Sequence, residues 1–504
     1  MTLRIRRVAL AALLGSSLSV VSACGERAVP PANALSARID TLVAESMRDG
    51  KVPGLAVTVV RGDSVLHSRG YGAADLERGA PMTDTTPVVI GSTSKTFTAF
   101  AIMQLADSGK VSLDSSVTRY VAVLGAPSPT RGDAAVRSAA KAVTFADPRF
   151  SRITPRHLLT NVSGIPAGFS GDAYDAVDTS ETALERIVRD DMLPRRLDFD
   201  PGAGYKYSNR GFSLASLVVQ DASGMSYEDY VTSRIMEPLG MRHSTPRFWE
   251  GKTRGMVQGY RESVDGKPLP RNASLGREWT GSGMILSTSR DAARFLSAIL
   301  NGGKTTDGVQ LLSAAGVAEM MRPQQKAESE LGGETVYALG WEVSDVNGVT
   351  LATKGGSVGT MGSLFALLPD QKLGIAMVFN DIDYGKVQLL QNVVKLLLGA
   401  PTAPYAPLPA APPVAASSHR IPPARLAQLA GVYDTRAGIM RLAMRGDTLA
   451  GRFEGNDFVL EPSSDSTFVV RSVLRGQEGS TLIIKRCGAR MCIWMEGDSS
   501  AVRR

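Results

Sequence analysis

The chain is 504 residues long yet holds only three cysteines and four histidines. The histidines are scattered and no Cys/His cluster exists, so there is no ligand set for a zinc site; neither a metal nor a cofactor is expected. Aromatic residues make up 6% of the sequence, and the formal charge of +7 is spread without a dense basic block or a basic–aromatic stripe. That pattern argues against a nucleic-acid partner. The 43% hydrophobic and 21% charged content lies in the ordinary globular range and suggests neither wholesale disorder nor a polytopic membrane protein. The length has room for roughly three domains.

What is present begins with a targeting signal. Arg4, Arg6 and Arg7 precede the apolar run VALAALLGSSLSVV at Val8–Val21, which is too short to span a bilayer but suits the hydrophobic part of a signal peptide. The run ends in Val21-Ser22-Ala23-Cys24, small residues directly before a cysteine, which resembles the bacterial lipobox. Ordinary cleavage after Ala23 and lipidation of Cys24 are both open, and the position of the cysteine right after the cut favours lipidation. The expectation is a signal peptide over residues 1–23 and a tether over 24–34, on an exported protein of a bacterial cell envelope. Its lipid anchor would face the periplasm or the outer surface. Cys487 and Cys492 flank a four-residue loop between strand-like segments, and in an exported protein a disulfide is expected over two free thiols.

Leu35, Ile39, Leu42, Val43 and Met47 recur at helical spacing before Gly50. Gly54–Val60 and Ser64–Ser68 read as strands, and Ile90–Phe97 opens a helix running to about Ser108. Residues up to about 300 are mostly helical in pattern, with an Ala-rich stretch at Gly125–Arg149 that reads as an insertion. Strand signals return at Tyr337–Val343, Val349–Thr353, Ser363–Leu368 and Leu373–Phe379, the first two joined by an Asn347-Gly348 turn, before a helix at Gly385–Leu398. Strands at both ends around a helical middle predict an α/β domain over residues 35–399: a largely antiparallel sheet sandwiched by helices, with an inserted helical region. Residues 400–420 form a Pro/Ala-rich linker. Residues 421–504 change to short alternating runs and turns, which predict a small antiparallel β-barrel or sandwich.

Two serines compete for the role of nucleophile. Gly355-Gly356-Ser357-Val358-Gly359 fits G-x-S-x-G, the nucleophile elbow, which needs a helix after the serine and an acid and a histidine later in the chain. Strand pattern follows Ser357 instead, and the only downstream histidine, His419, ends the proline-rich linker. The other candidate is Ser92 in Ser92-Thr93-Ser94-Lys95, an S-x-x-K at a helix start that puts the Lys95 amine within reach of the Ser92 hydroxyl. A lysine partly buried near other cations gives up its proton readily and becomes a base. A second S-x-x-K, Ser138 to Lys141, lies in the Ala-rich stretch and reads as surface. Ser92 has company: Tyr207-Ser208-Asn209, the chain's single Y-x-N, and Lys354-Gly355-Gly356, close to K-T-G. A phenol set against two lysines can ionise and shuttle a proton, and Asn209 offers an amide to a substrate carbonyl or amide.

With those motifs in that order, the chain resembles the class C-type β-lactamase-related serine hydrolases, a group with β-lactamases, D-Ala-D-Ala carboxypeptidases, D-aminopeptidases and carboxylesterases. The local phrases are I-G-S-T-S-K-T-F at residues 90–97, I-T-P-R-H-L-L-T-N-V-S-G-I-P at 153–166, P-G-A-G-Y-K-Y-S-N-R-G at 201–211 and T-G-S-G-M-I-L-S-T at 280–288. The resemblance implies the β-lactamase/penicillin-binding-protein-like fold with an all-α subdomain, and residues 421–504 resemble the lipocalin-like barrel that follows some of these hydrolases. It implies Ser92 as the acylated nucleophile, Lys95 and Tyr207 in acid/base work, and Asn209, Lys354 and Gly356 in substrate binding. The oxyanion hole would be made by the backbone N–H groups of Ser92 and Ser357. The implied substrate is a small ester, amide or D-amino-acid peptide; a penicillin- or peptidoglycan-fragment-binding protein without turnover is the alternative, and a ligand-binding role for the barrel alone is a third. There are departures. Gly355 replaces the hydroxyl residue of K-T-G, which weakens assignment as a β-lactamase or carboxypeptidase. Lys354 stands where many relatives have His. Asn161 replaces the His usual in the T-H-T-S-G phrase, and His157 reads as a structural helix residue.

Overall fold

The computed structural model describes residues 32–50, 52–126, 145–166, 178–262, 267–270, 276–328, 334–346, 348–381, 385–404, 417–434, 439–453, 456–472, 481–487, 490–495 and 501–503. Cys24, the signal segment, Ser138, Lys141 and most of the Ala-rich stretch and linker lie outside them.

A nine-stranded sheet organises the larger part of the chain. Its strands are β1 (Gly54–Arg61), β2 (Ser64–Asp75), β3 (Ala80–Pro81), β4 (Gln325–Glu328), β5 (Glu334–Tyr337), β6 (Glu342–Val346), β7 (Val349–Val358), β8 (Met361–Leu368) and β9 (Leu373–Phe379). They lie in the order β3-β2-β1-β9-β8-β7-β6-β5-β4. The two ends of the domain meet where β1 pairs antiparallel with β9, Val57 opposite Met377.

Both faces of the sheet are covered, so its central strands are mostly apolar and buried nearly throughout rather than alternating. Leu55, Val57 and Val59 of β1 join Leu364, Ala366 and Ile375 in one cluster with Leu35, Ile39 and Val43 of helix Ala32–Gly50 and Leu389 and Val393 of helix Gly385–Leu397. The intervening side chains, Ala56, Val60, Phe365 and Ala376, face the opposite way into the main core with Phe97 and Leu296. The two-residue side-chain period of a strand makes this division. Phe97 stacks on Phe295 at 4.1 Å, tying helix Ser94–Asp107 to helix Ser289–Leu300 on this second face. Burial of each such ring contributes about 1.5–3 kcal/mol. The helices Pro155–Leu159, Asn209–Ser223 and Tyr227–Val231 extend this layer.

The pattern expected over Tyr337–Val343 is broken into β5 and β6. Gly340 has φ +79, and a Cβ there would lie 3.1 Å from the Lys95 carbonyl oxygen, so the chain bends around the start of the Ser94–Asp107 helix. β7, by contrast, runs past Thr353 to Val358, which puts the whole G-x-S-x-G stretch on a strand and its hairpin, with no helix following.

The C-terminal strands, from Gly431–Asp434 to Ala501–Arg503, close into an antiparallel barrel. Its interior is filled by its own side chains, among them Tyr433, Leu442, Leu460, Phe468 and Ile484. Gly451 has no side chain because a Cβ would meet the Phe458 ring at 2.2 Å. Among the described residues no helix is long and apolar enough to cross a membrane.

Candidate active site

Ser92 sits in the 3-10 turn Gly91–Thr93 that leads into helix Ser94–Asp107. The turn begins with Gly91 at φ +58, a backbone state that glycine adopts without penalty. A Cβ on Gly91 would fall 2.2 Å from the Ser357 nitrogen, and one on Gly356 would fall 2.4 Å from the Ser92 nitrogen. The two glycines therefore let the nucleophile turn and strand β7 touch through their backbones, beside the Ser92 and Ser357 nitrogens. The turn is anchored from below: Thr93 Oγ1 lies 2.7 Å from Ser363 Oγ, which donates to the Ile90 carbonyl at 2.7 Å.

One helical turn after Ser92, Lys95 is fully buried. Its ammonium donates to Ser92 Oγ at 3.1 Å, to Asn209 Oδ1 at 2.6 Å and to the Ser282 carbonyl at 2.6 Å. Tyr207 precedes the N-cap of helix Asn209–Ser223, where Ser208 Oγ accepts from Gly211 N. Its phenol donates to Ser92 Oγ at 2.5 Å. The serine oxygen thus lies between an amine and a phenol, on a residue that is half-buried.

Lys354 is equally buried on β7, with its ammonium 3.2 Å from the Glu342 carboxylate on β6. Lys95 Nζ lies 4.7 Å from the centre of the Tyr207 ring and Lys354 Nζ 5.3 Å from it, while Lys354 also faces the Tyr337 ring at 5.7 Å. Two cations over the faces of one phenol stabilise negative charge on it. Among the described residues no group of His, Cys, Asp and Glu is arranged to hold a metal.

The structure brings Ser92, Lys95, Tyr207, Asn209, Lys354, Gly356 and Ser357 into one site. Ser357 is exposed beside it. His157 is a helix-capping residue: Thr154 N donates to its Nδ1 at 3.3 Å, while Thr154 Oγ1 caps the same turn. Burial lowers its pKa, which keeps the ring neutral and able to accept. His419 contacts Asp465 within the C-terminal part. Cys492 is buried and disulfide-bonded, and the side chain of Cys487 lies outside the described residues. Two contributors escaped the sequence reading. Ser282 acts through its carbonyl, and any residue type supplies one. Glu342 stands twelve residues before Lys354 and outside every motif, and only the pairing of β6 with β7, Glu342 opposite Thr353, brings it to Lys354.

The Beta-lactamase family profile matches residues 39–398. Penicillin-binding protein 4 of Amycolatopsis lactamdurans is 30% identical over 396 residues, which covers 77% of this chain and 94% of that protein. Protein flp of Staphylococcus aureus (strain MW2) is 25% identical over 345 residues, 68% of this chain, and the chain spans 62% of that relative's length. Among solved structures, the octameric penicillin-binding protein homologue from Pyrococcus abyssi has a TM-score of 0.60 at 23% identity, covering 93% of this chain and 99% of that one.

Proposed function

The chain belongs to the beta-lactamase family of serine hydrolases, and from that premise we propose that it cleaves an ester or amide bond through a Ser92 acyl-enzyme. The observation that carries the reading is the position of Ser92 Oγ, within hydrogen-bond reach of both Lys95 Nζ and Tyr207 OH. Once the Lys95–Tyr207 pair has given up one proton, Ser92 Oγ attacks the substrate carbonyl carbon and yields its own proton to the pair. The tetrahedral oxyanion is held by the Ser92 and Ser357 N–H groups, each such donor contributing about 3 kcal/mol to transition-state stabilisation. As the carbonyl re-forms, the bond to the leaving group breaks, and the pair returns the proton to the departing alcohol or amine. Water then attacks the acyl carbon, its proton passes to the pair and on to Ser92 Oγ, and the acid is released. Asn209 orients Lys95 and presents its amide to the substrate.

The preferred substrate carries no carboxylate beside Lys354. Glu342 balances that ammonium, and Gly355 supplies no hydroxyl next to it. An esterase or peptidase therefore suits the site better than an efficient β-lactamase. The barrel, packed with its own side chains, takes an accessory part.

The test pairs the protein and Ser92→Ala with a chromogenic short-chain ester, a D-amino-acid amide and a fluorescent penicillin. Expected are turnover of ester or amide, no lasting penicillin adduct, and an inert Ser92→Ala. A persistent adduct without turnover would mean a binding protein, and equal activity in Ser92→Ala would sink the mechanism. We infer further that Cys24 carries a lipid that holds an exported protein to the cell envelope; palmitate labelling that survives Cys24→Ala would refute it.

A further inference from the structure

Asn161 is one of two non-glycine residues among those described whose φ is positive, at +58. The other, Lys372, lies in the tight turn between β8 and β9. Asn161 is instead 1% exposed and follows the short helix Pro155–Leu159. The left-handed state costs an ordinary L-residue about 1–2 kcal/mol, and asparagine is among the few that adopt it readily. In this state both oxygens of Asn161 reach the same neighbouring segment. Its carbonyl accepts from Lys206 N at 2.8 Å, and its Oδ1 accepts from Ser208 N at 3.1 Å. Those are the residues on either side of Tyr207.

Tyr207 itself belongs to no helix or strand. The segment before it is held by Gly202 N on the Val162 carbonyl and Asp198 N on the Gly164 carbonyl, both 2.8 Å, and the residue after it caps the next helix. Asn161 closes this run of contacts at its far end, against the residue whose phenol must meet Ser92 Oγ. Because Ser208 offers an N–H, the side-chain atom facing it must be the acceptor oxygen, and Nδ2 donates to no group among the described residues. The oxygen is what the loop uses.

We propose that Asn161 is a positioning residue for Tyr207: its left-handed backbone and its Oδ1 grip the amides on both sides of the tyrosine and so set the phenol against the nucleophile. The inference rests on the acid/base role of Tyr207 given above. It makes the asparagine in Thr160-Asn161-Val162-Ser163-Gly164 a device of this chain's site, one that acts through an oxygen and not as a proton carrier.

Three variants separate the parts of the grip. Asn161→Gly keeps the left-handed turn and the backbone contact but loses Oδ1. Asn161→Asp keeps both acceptors. Asn161→Ala loses Oδ1 and disfavours the turn. With the ester as probe, Asn161→Gly is expected to lower kcat about ten- to a hundredfold, the scale of a small misplacement of a reacting group, with KM nearly unchanged. Asn161→Asp should recover most of that loss, and Asn161→Ala should fall below Asn161→Gly. Thermal unfolding is followed in parallel. Wild-type kcat in Asn161→Gly would overturn the proposal. So would equal losses in the Gly and Asp variants that track their melting temperatures, since that is what a structural role alone produces. Tyr207→Phe serves as the control. If it is fully active, the acid/base reading fails with the inference; if it is crippled while Asn161→Gly is not, only the inference fails.

Discussion

Lys95 and Lys354 are equally buried and lie over the same phenol ring, yet the helix and the strand give their ammonium groups different partners. Lys95 donates to a serine hydroxyl, an asparagine oxygen and a backbone carbonyl, all neutral. Lys354 faces the carboxylate of Glu342. Burying an ammonium is costly unless hydrogen bonds or a counter-charge compensate it, and the two elements solve that problem differently. Neutral acceptors orient an amine and leave its proton transferable. A carboxylate favours the charged form and holds the proton in place. Within the proposed mechanism, proton transfer falls to the helix lysine and the strand lysine serves as a fixed positive wall.

The largest way to break the contrast is Lys95→Met, which removes the amine, 4.7 Å from the Tyr207 ring and 5.4 Å from the Phe212 ring, while keeping an unbranched apolar chain. It is expected to lower kcat/KM for the ester by about 10²–10⁴, the range for loss of a general acid–base group. Retention of a tenth of the wild-type rate would reduce Lys95 to packing and erase the distinction.

Next in size is the pair itself. Glu342→Gln leaves Lys354 buried beside a neutral amide, and removing one partner of a buried pair costs about 3–5 kcal/mol. Lys354→Met strands Glu342 in the same way. The double variant leaves no uncompensated charge and should regain most of the lost stability in urea titrations. Simple addition of the two losses would show that the pair is not coupled. On activity, Lys354→Met should cost about tenfold, well short of Lys95→Met, because only long-range charge is lost.

How far the site was legible follows the same divide. Residues close in sequence were readable: Lys95 falls one helical turn from Ser92, and Asn209 two residues from Tyr207, so their chemistry is written in local spacing. The sheet was readable because β1, β8 and β9 are apolar at most positions and buried at nearly every one, as strands covered on both faces must be. Glu342 was not, since only strand register brings it to Lys354. Nor was the bend at Gly340, which interrupts an otherwise good strand pattern to clear the Lys95 carbonyl, a contact made by a helix over 240 residues earlier in the chain. Asn161 stood out as an unusual letter, but its part depends on a φ that sequence does not display.

The smallest predicted effect belongs to Ser357, whose surroundings spell a nucleophile motif. Its hydroxyl is exposed, no helix follows it, and β7 continues past it into a hairpin with Ser357 opposite Gly362. In the proposed mechanism it is the N–H at this position that matters, and the missing side chains of Gly91 and Gly356 let β7 lie against the Ser92 turn. Ser357→Ala preserves that N–H and should change kcat/KM by less than about twofold, whereas a side chain at Gly356 must push the strand away from the Ser92 nitrogen. Gly356→Ala should therefore abolish most activity while Ser357→Ala leaves it intact. A damaging Ser357→Ala would return the hydroxyl to the mechanism, and a harmless Gly356→Ala would remove β7 from the oxyanion site.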